Sequence, residues 1–192
     1  VKVLLTRPKE LISETAKKLR SFGAEVLEIP AIATVRIRDN ALLSQAVSGL
    51  EQYQWIVFTS PAGVRIFFEE LADQRADVRK LGNAKIAAIG GGTAKELAKH
   101  GLFADLVPET YDAAHLGAAL ADACRDGDKI LIPRAAIGSR ELTEALAKSG
   151  KKLQVDDIAT YDTVYETEGL VSVHDELEKG TIDYVVFTSA ST

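Results

Sequence analysis

Trp55-Ile56-Val57-Phe58-Thr59-Ser60-Pro61 reads as a buried strand closed by a polar turn, with a helix opening behind it through Val64, Phe67, Phe68 and Leu71. An unbroken apolar run fits a parallel strand covered on both faces, since a half-exposed strand would alternate. The stretch returns near the other end of the chain as Tyr184-Val185-Val186-Phe187-Thr188-Ser189, a shift of 184 − 55 = 129. Three more pairs keep the same order. Val3-Leu4-Leu5-Thr6-Arg7 resembles Ile130-Leu131-Ile132-Pro133-Arg134 (134 − 7 = 127), Gly23 matches Gly150 (150 − 23 = 127), and Ile32-Ala33-Thr34 returns as Ile158-Ala159-Thr160 (158 − 32 = 126). Four matches in one order at nearly one spacing imply duplication of a single α/β unit.

Outward from these strands the pattern continues. Residues 3–6 form a strand and 10–22 a helix, with Leu11, Thr15, Lys18 and Leu19 on one face and Gly23 as its stop. Residues 85–89 form a strand and 93–100 a helix ending at Gly101, with further helices at 113–123 and 140–149 and a strand at 130–132. Such alternation predicts an open parallel sheet. Two extended segments, 24–38 and 151–166, have no helix between their halves. Both exceed the usual strand of about 5–6 residues and are expected to pass from one sheet to another. The fold expected is therefore α/β: two similar open parallel-sheet domains, flavodoxin-like, joined by a two-stranded linker at 24–38 and 151–166. The first domain is discontinuous, residues 1–36 with 167–192, and the second is 37–166.

Composition narrows the function. The chain is 46% hydrophobic and 27% charged, with a net charge of −5 and no block of like charge, which argues against a nucleic-acid partner. No apolar run approaches the roughly 20 residues of a membrane-spanning helix, and residues 1–8 read as a strand rather than a signal peptide. The single cysteine, Cys124, is expected to be a buried helix thiol, and the compartment cytoplasmic. His100, His115 and His174 are scattered and read as surface or cap residues. No Walker loop, Gly-x-Gly-x-x-Gly, His-x-x-x-His or Cys-x-x-Cys is present, so neither a metal nor a cofactor is expected. Methionine is absent even at position 1, from which we expect a chain processed, excised from something longer, or joined downstream of another domain.

What remains is a set of polar turns after strands: Thr6-Arg7-Pro8, Thr59-Ser60-Pro61, Gly90-Gly91-Gly92-Thr93, Arg134 to Ser139, and Thr188-Ser189. In an open parallel sheet such turns gather at the carboxyl ends of the strands, where ligands bind. Each opens a helix, so free N–H groups and the positive end of a helix dipole suit anions. Ser60 and Thr93 also read as ordinary N-caps. The glycines of 90–92 serve a close backbone approach or a positive φ equally well, with or without a ligand. Arg7 and Arg134 read either as carboxylate partners or as surface ion pairs.

The blocks Ile56-Val57-Phe58-Thr59-Ser60-Pro61 with Val64, Ala88-Ile89-Gly90-Gly91-Gly92-Thr93-Ala94, Gly101 and Val107-Pro108-Glu109 resemble those of the uroporphyrinogen-III synthases. So do Leu131-Ile132-Pro133-Arg134, Arg140-Glu141-Leu142 and the N-terminal Leu4-Leu5-Thr6-Arg7-Pro8. The resemblance spans the chain, and Tyr161-Asp162-Thr163 falls where the family carries a tyrosine facing the active site. It implies two α/β domains with a substrate cleft between them, and a cofactor-free, monomeric enzyme. That enzyme would be fused to or work beside a uroporphyrinogen methyltransferase. The substrate implied is hydroxymethylbilane, which carries eight carboxylates. Its terminal hydroxyl leaves as water, the resulting azafulvene is attacked by the substituted carbon of ring D at the other end of the chain, and the spiro intermediate fragments and recloses with ring D inverted. Tyr161 becomes the candidate for assisting hydroxyl departure; a strand tyrosine packed at the linker edge is its other reading. Arg7, Thr59, Ser60, Gly91, Gly92, Thr93, Arg134, Thr188 and Ser189 become the candidate substrate-binding residues. A two-lobed, non-catalytic binding module is the alternative function. Because Ser189 is followed by only three residues, the first domain is expected to be incomplete at its C-terminus. The missing counterpart of Gly90 to Thr93 is expected near 218–222 of a parent chain.

Overall fold

A computed structural model describes the chain except for residues 7–8, 30–31, 167–169 and 188–192; for 9–14 and 170–172 it describes the backbone alone. In chain order the elements are β1 (Lys2–Leu5), α1 (Lys9–Ser21), β2 (Glu25–Glu28), β3 (Ile32–Arg36), α2 (Ala41–Ser48), β4 (Trp55–Phe58), α3 (Pro61–Asp73) and β5 (Lys85–Ala88). There follow α4 (Gly91–Lys99), α5 (Ala113–Ala123), β6 (Lys129–Ala135), α6 (Glu141–Lys148), β7 (Gln154–Tyr165), α7 (Leu170–Glu178) and β8 (Tyr184–Val186). The chain divides into two compact units, Val1–Val35 with Thr163–Thr192, and Arg36–Asp162.

The first unit holds a parallel sheet of order β2-β1-β8. Val3, Leu5 and Val26 pack with Ala16 and Leu19 of α1 on one face, while Leu4 and Ile29 pack with Val173 of α7 on the other. The other sheet has five strands in the order β3-β7-β6-β4-β5, of which β4, β5 and β6 lie wholly in the second unit. Successive residues of β4 point to opposite faces and both faces are covered, which is why the run carries no polar residue. Trp55 and Val57, with Ile130 and Ile132 of β6, meet Leu116 and Leu120 of α5 and Leu142 and Leu146 of α6. Ile56 and Phe58 meet Leu43 of α2, Phe67 of α3 and Leu97 of α4. The α5–α6 contact is close: a Cβ built on Gly117 would stand 2.7 Å from the Ala145 Cβ.

Element positions repeat at the spacing of the sequence matches. Strands β1 and β6 begin at Lys2 and Lys129 (129 − 2 = 127), and helices α2 and α7 at Ala41 and Leu170 (170 − 41 = 129). Gly23 and Gly101, read as helix stops, adopt φ values of 83° and 76°, where a side chain would be strained. Two expectations need correction. Residues 24–38 are not one long strand but two, β2 in the three-stranded sheet and β3 in the five-stranded one. Helix α4 starts at Gly91, two residues before the expected Thr93. Residues 151–166 do contain a single long strand, the 12 residues of β7.

A buried carboxylate ties α3 to its surroundings. Glu70, 5% exposed, accepts hydrogen bonds from Ser44, Gln74 and Arg36. Burial alone would push its carboxyl up, but the Ser44, Gln74 and Arg36 bonds together hold it below the ordinary value. A carboxylate whose pKa is lower in the folded state stabilises the fold above the unfolded value of about 4.3. That contribution disappears as pH falls through the folded value. Glu70→Gln is therefore expected to cost about 1–3 kcal/mol at pH 7. Its cost should shrink below pH 4, as read from urea midpoints between pH 7 and 2.5; a cost independent of pH would exclude an ionised Glu70.

Among the described residues no helix is long and apolar enough to cross a membrane, and no cluster of three or more His, Cys, Asp or Glu could hold a metal ion. Cys124 is buried at the end of α5, where burial and Asp128 push its thiol up to about 11. His115 pairs with Asp112 in the first turn of α5, His100 stacks on Phe68 at the end of α4, and His174 lies 3.3 Å from Glu178.

Candidate active site

From β4 the chain adds β5 on one side, then returns to add β6 and β7 on the other. Reversal of direction opens a crevice outside the carboxyl ends of β4 and β6, the place where open α/β sheets bind ligands. A cavity of about 250 Å³ lies there, lined among others by Thr59, Ile89, Arg134, Ile137, Ser139 and Tyr161. It lies wholly within the second unit.

Tyr161 reaches the cavity through an irregularity in β7. Arg134 pairs with Ala159 but Ala135 pairs with Tyr161, leaving Thr160 as an extra residue in the ladder. A bulge of this kind re-aims the side chains beside it. Thr160 and Tyr161 are consequently both buried, at 0% and 6% exposure, although they are neighbours in a strand. The Thr160 hydroxyl donates to the Arg134 carbonyl at 3.2 Å, and Ala136 N–H donates to the Tyr161 carbonyl at 2.7 Å. The Tyr161 hydroxyl lies 2.7 Å from Ser60 Oγ. Ser60 is the N-cap of α3 and accepts the Gly63 N–H at 2.9 Å, so its capping reading holds, with a second hydroxyl added.

The remaining candidates fall into three groups. Thr59 is half-buried on the cavity wall. Arg134 also lines the cavity, and its ion-pair reading applies: Nε and Nη2 donate to both carboxylate oxygens of Asp157, at 2.5 and 2.8 Å. The Asp157 hydrogen bonds raise its pKa above the ordinary arginine value. Gly91, Gly92 and Thr93 form the first turn of α4 after the neighbouring strand. Thr93 is not an N-cap; that position is Gly90, which supplies no side-chain bond, and Thr93 is buried at 2% exposure. Arg7, Thr188 and Ser189 lie outside the described residues.

The three glycines need no positive φ, since Gly90 is fully extended. Close approach is the reason for Gly90, and the group that approaches is Tyr111: a Cβ there would stand 2.8 Å from its ring. Sequence reasoning passed over Tyr111, which is 65% exposed, and Ile137, 80% exposed on the cavity wall. An aromatic just before the Asp112 cap of α5 was the available signal for the first. An apolar residue inside the polar turn after β6 was the signal for the second.

The family model described as uroporphyrinogen-III synthase HemD matches residues 13–192. A porphyrin biosynthesis protein HemD from Ruminiclostridium josui is 39% identical over all of this chain, which spans 38% of that relative's length. A uroporphyrinogen-III synthase from Chlorobaculum parvum is 29% identical over 99% of the chain and 75% of its own length. Among solved structures, a mutant uroporphyrinogen III synthase from Thermus thermophilus matches with a TM-score of 0.67 at 20% identity, over 100% of this chain and 73% of that one. This last likeness bears on the fold, an α/β architecture with parallel sheets. On the family match, covering nearly the whole sequence, the chain belongs to the uroporphyrinogen-III synthases.

Proposed function

We propose that the chain carries out the reaction its family is named for, closing hydroxymethylbilane to uroporphyrinogen III with loss of one water. The observation that carries this reading is the buried Tyr161, hydrogen-bonded to Ser60 and among the residues lining the cavity outside β4 and β6. At about 250 Å³ the cavity is smaller than the roughly 300–1,000 Å³ of a pocket for a drug-sized ligand. It suits one pyrrole ring and its hydroxymethyl arm rather than a whole tetrapyrrole.

In this reading Tyr161 gives its proton to the hydroxymethyl oxygen on the terminal ring opposite ring D as the carbon–oxygen bond breaks. The bonding pair leaves with the oxygen, water departs, and the pyrrole nitrogen supplies electrons and loses its proton to give the azafulvene. Attack by the substituted carbon of ring D, fragmentation and reclosure then invert the ring. Positioning is the larger contribution, because a correctly folded, pre-oriented substrate is worth about 7 kcal/mol or more.

Eight substrate carboxylates meet a protein of net charge −5, so overall field does not draw the substrate in. Screening limits exposed charges to about 8 Å at physiological salt, which leaves recognition to local donors. The first turn of α4 offers them: the N-cap Gly90 supplies no side-chain bond, and the N–H groups of Gly91, Gly92 and Thr93 stand at the positive end of the helix. Thr59 adds a hydroxyl on the cavity wall. The Arg134 guanidinium reaches a substrate carboxylate only by sharing it with Asp157. Family membership favours this enzyme reading over a binding module.

Incubation with hydroxymethylbilane tests the proposal. Consumption should exceed the unaided rate without added metal or nucleotide and should survive exhaustive chelation. Binding with no acceleration would leave the non-catalytic module instead.

A further inference from the structure

Two hydroxyls meet at the end of β4 with one hydrogen bond between them. Ser60 Oγ and Tyr161 Oη are 2.7 Å apart, and each brings one proton, so one of the two must point elsewhere. Ser60 Oγ already accepts from Gly63 N–H at 2.9 Å, and among the described residues it has no other partner. Were Tyr161 the donor, the Ser60 proton would have no protein acceptor among the described residues. Were Ser60 the donor, the proton left over would belong to Tyr161, which lines the cavity where water or a ligand accepts it. Ser60 itself is not part of the cavity wall.

We infer that Ser60 is a positioning residue: it donates to Tyr161 and so directs the phenol proton into the cavity. The chain of donors runs from Gly63 N–H to Ser60 to Tyr161, each bond polarising the next. It begins at the N-terminus of the 13-residue helix α3, whose positive end stabilises negative charge on the phenol oxygen as its proton leaves. Ser60 therefore acts on the reaction through Tyr161 and not as a substrate contact, the role its sequence suggested. The kinetic part of this inference rests on the proposed synthase activity; the direction of the hydrogen bond does not.

Ser60→Gly removes the hydroxyl while keeping an acceptable cap residue, and Ser60→Thr keeps a capping hydroxyl. The first measurement is the infrared C–O stretch of Tyr161 with ring-labelled tyrosine, its band assigned by difference against Tyr161→Phe. Accepting a hydrogen bond weakens the phenol C–O bond and donating one strengthens it. Ser60→Gly should move the band to higher wavenumber and Ser60→Thr should leave it near its place; a move to lower wavenumber overturns the inference. The second measurement is a kinetic cycle with hydroxymethylbilane. Ser60→Gly should lower kcat several-fold with KM unchanged, Ser60→Thr should restore kcat, and Ser60→Gly with Tyr161→Phe should be no slower than Tyr161→Phe alone. A raised KM at constant kcat, or effects that multiply in the double variant, makes Ser60 a substrate contact and overturns the inference. Unchanged protein that makes no type III product defeats the synthase reading, while the infrared shift still decides which hydroxyl donates.

Discussion

Tyr161→Phe is expected to lower kcat about 10- to 100-fold while the protein stays folded. General acid catalysis contributes roughly 10²–10⁴. The loss belongs at or below the lower end of that range, because a hydroxyl leaving from an electron-rich pyrrole needs limited help. Stability should change by only about 1 kcal/mol, the net worth of one lost hydrogen bond. The ring remains in place, since Tyr161 belongs to the buried core of the second unit and the new phenylalanine keeps its ring there. Product identity should remain type III, because the fold of the bound substrate and not the proton donor selects the isomer. Steady-state kinetics alongside a melting curve separates these quantities. A Tyr161→Phe protein with unchanged kcat would show that the hydroxyl takes no part.

Phe67→Ala is expected to be the most damaging single substitution to the second unit. Phe67 is fully buried in the middle of α3, at 5.4 Å and 74° from the Phe58 ring and 5.7 Å and 86° from Phe68. Removing it deletes two edge-on aromatic contacts and leaves a cavity under the helix that carries Ser60. Such truncations cost about 3–5 kcal/mol, which for a chain of this size lowers Tm by roughly 6–20 °C. Trp55, the single tryptophan, is buried in the same unit and reports its unfolding by fluorescence. A shift of less than a few degrees would mean that the site has collapsed around the smaller side chain.

Much of the fold was legible because few other structures suit the sequence. Trp55 to Phe58 has no polar residue, and a strand without one needs cover on both faces, which the helices provide. Features that depend on a single residue of register were not legible. Nothing in Ile158-Ala159-Thr160-Tyr161 marks a bulge, neither glycine nor proline, yet the extra residue decides where the Tyr161 ring points. The partnership of Arg134 and Asp157 spans 23 residues and follows from the β6–β7 pairing, so the sequence left its two readings open. Helix α4 was expected to begin later because glycine has poor intrinsic helix propensity. Tertiary packing outweighs that preference here: Gly90 is the residue that lets the Tyr111 ring lie against the helix start. The break between β2 and β3 was hidden because both halves are extended and apolar, and pattern alone does not say which sheet a strand joins.

The most direct test of the account is the isomer ratio formed from hydroxymethylbilane by the full-length protein, after oxidation of the products and chromatographic separation. Unaided closure gives the uninverted type I ring, so any excess of type III measures the inversion itself. The account predicts mainly type III, without added metal or nucleotide and with the excess rising with protein concentration. Type I alone at every protein concentration would contradict it.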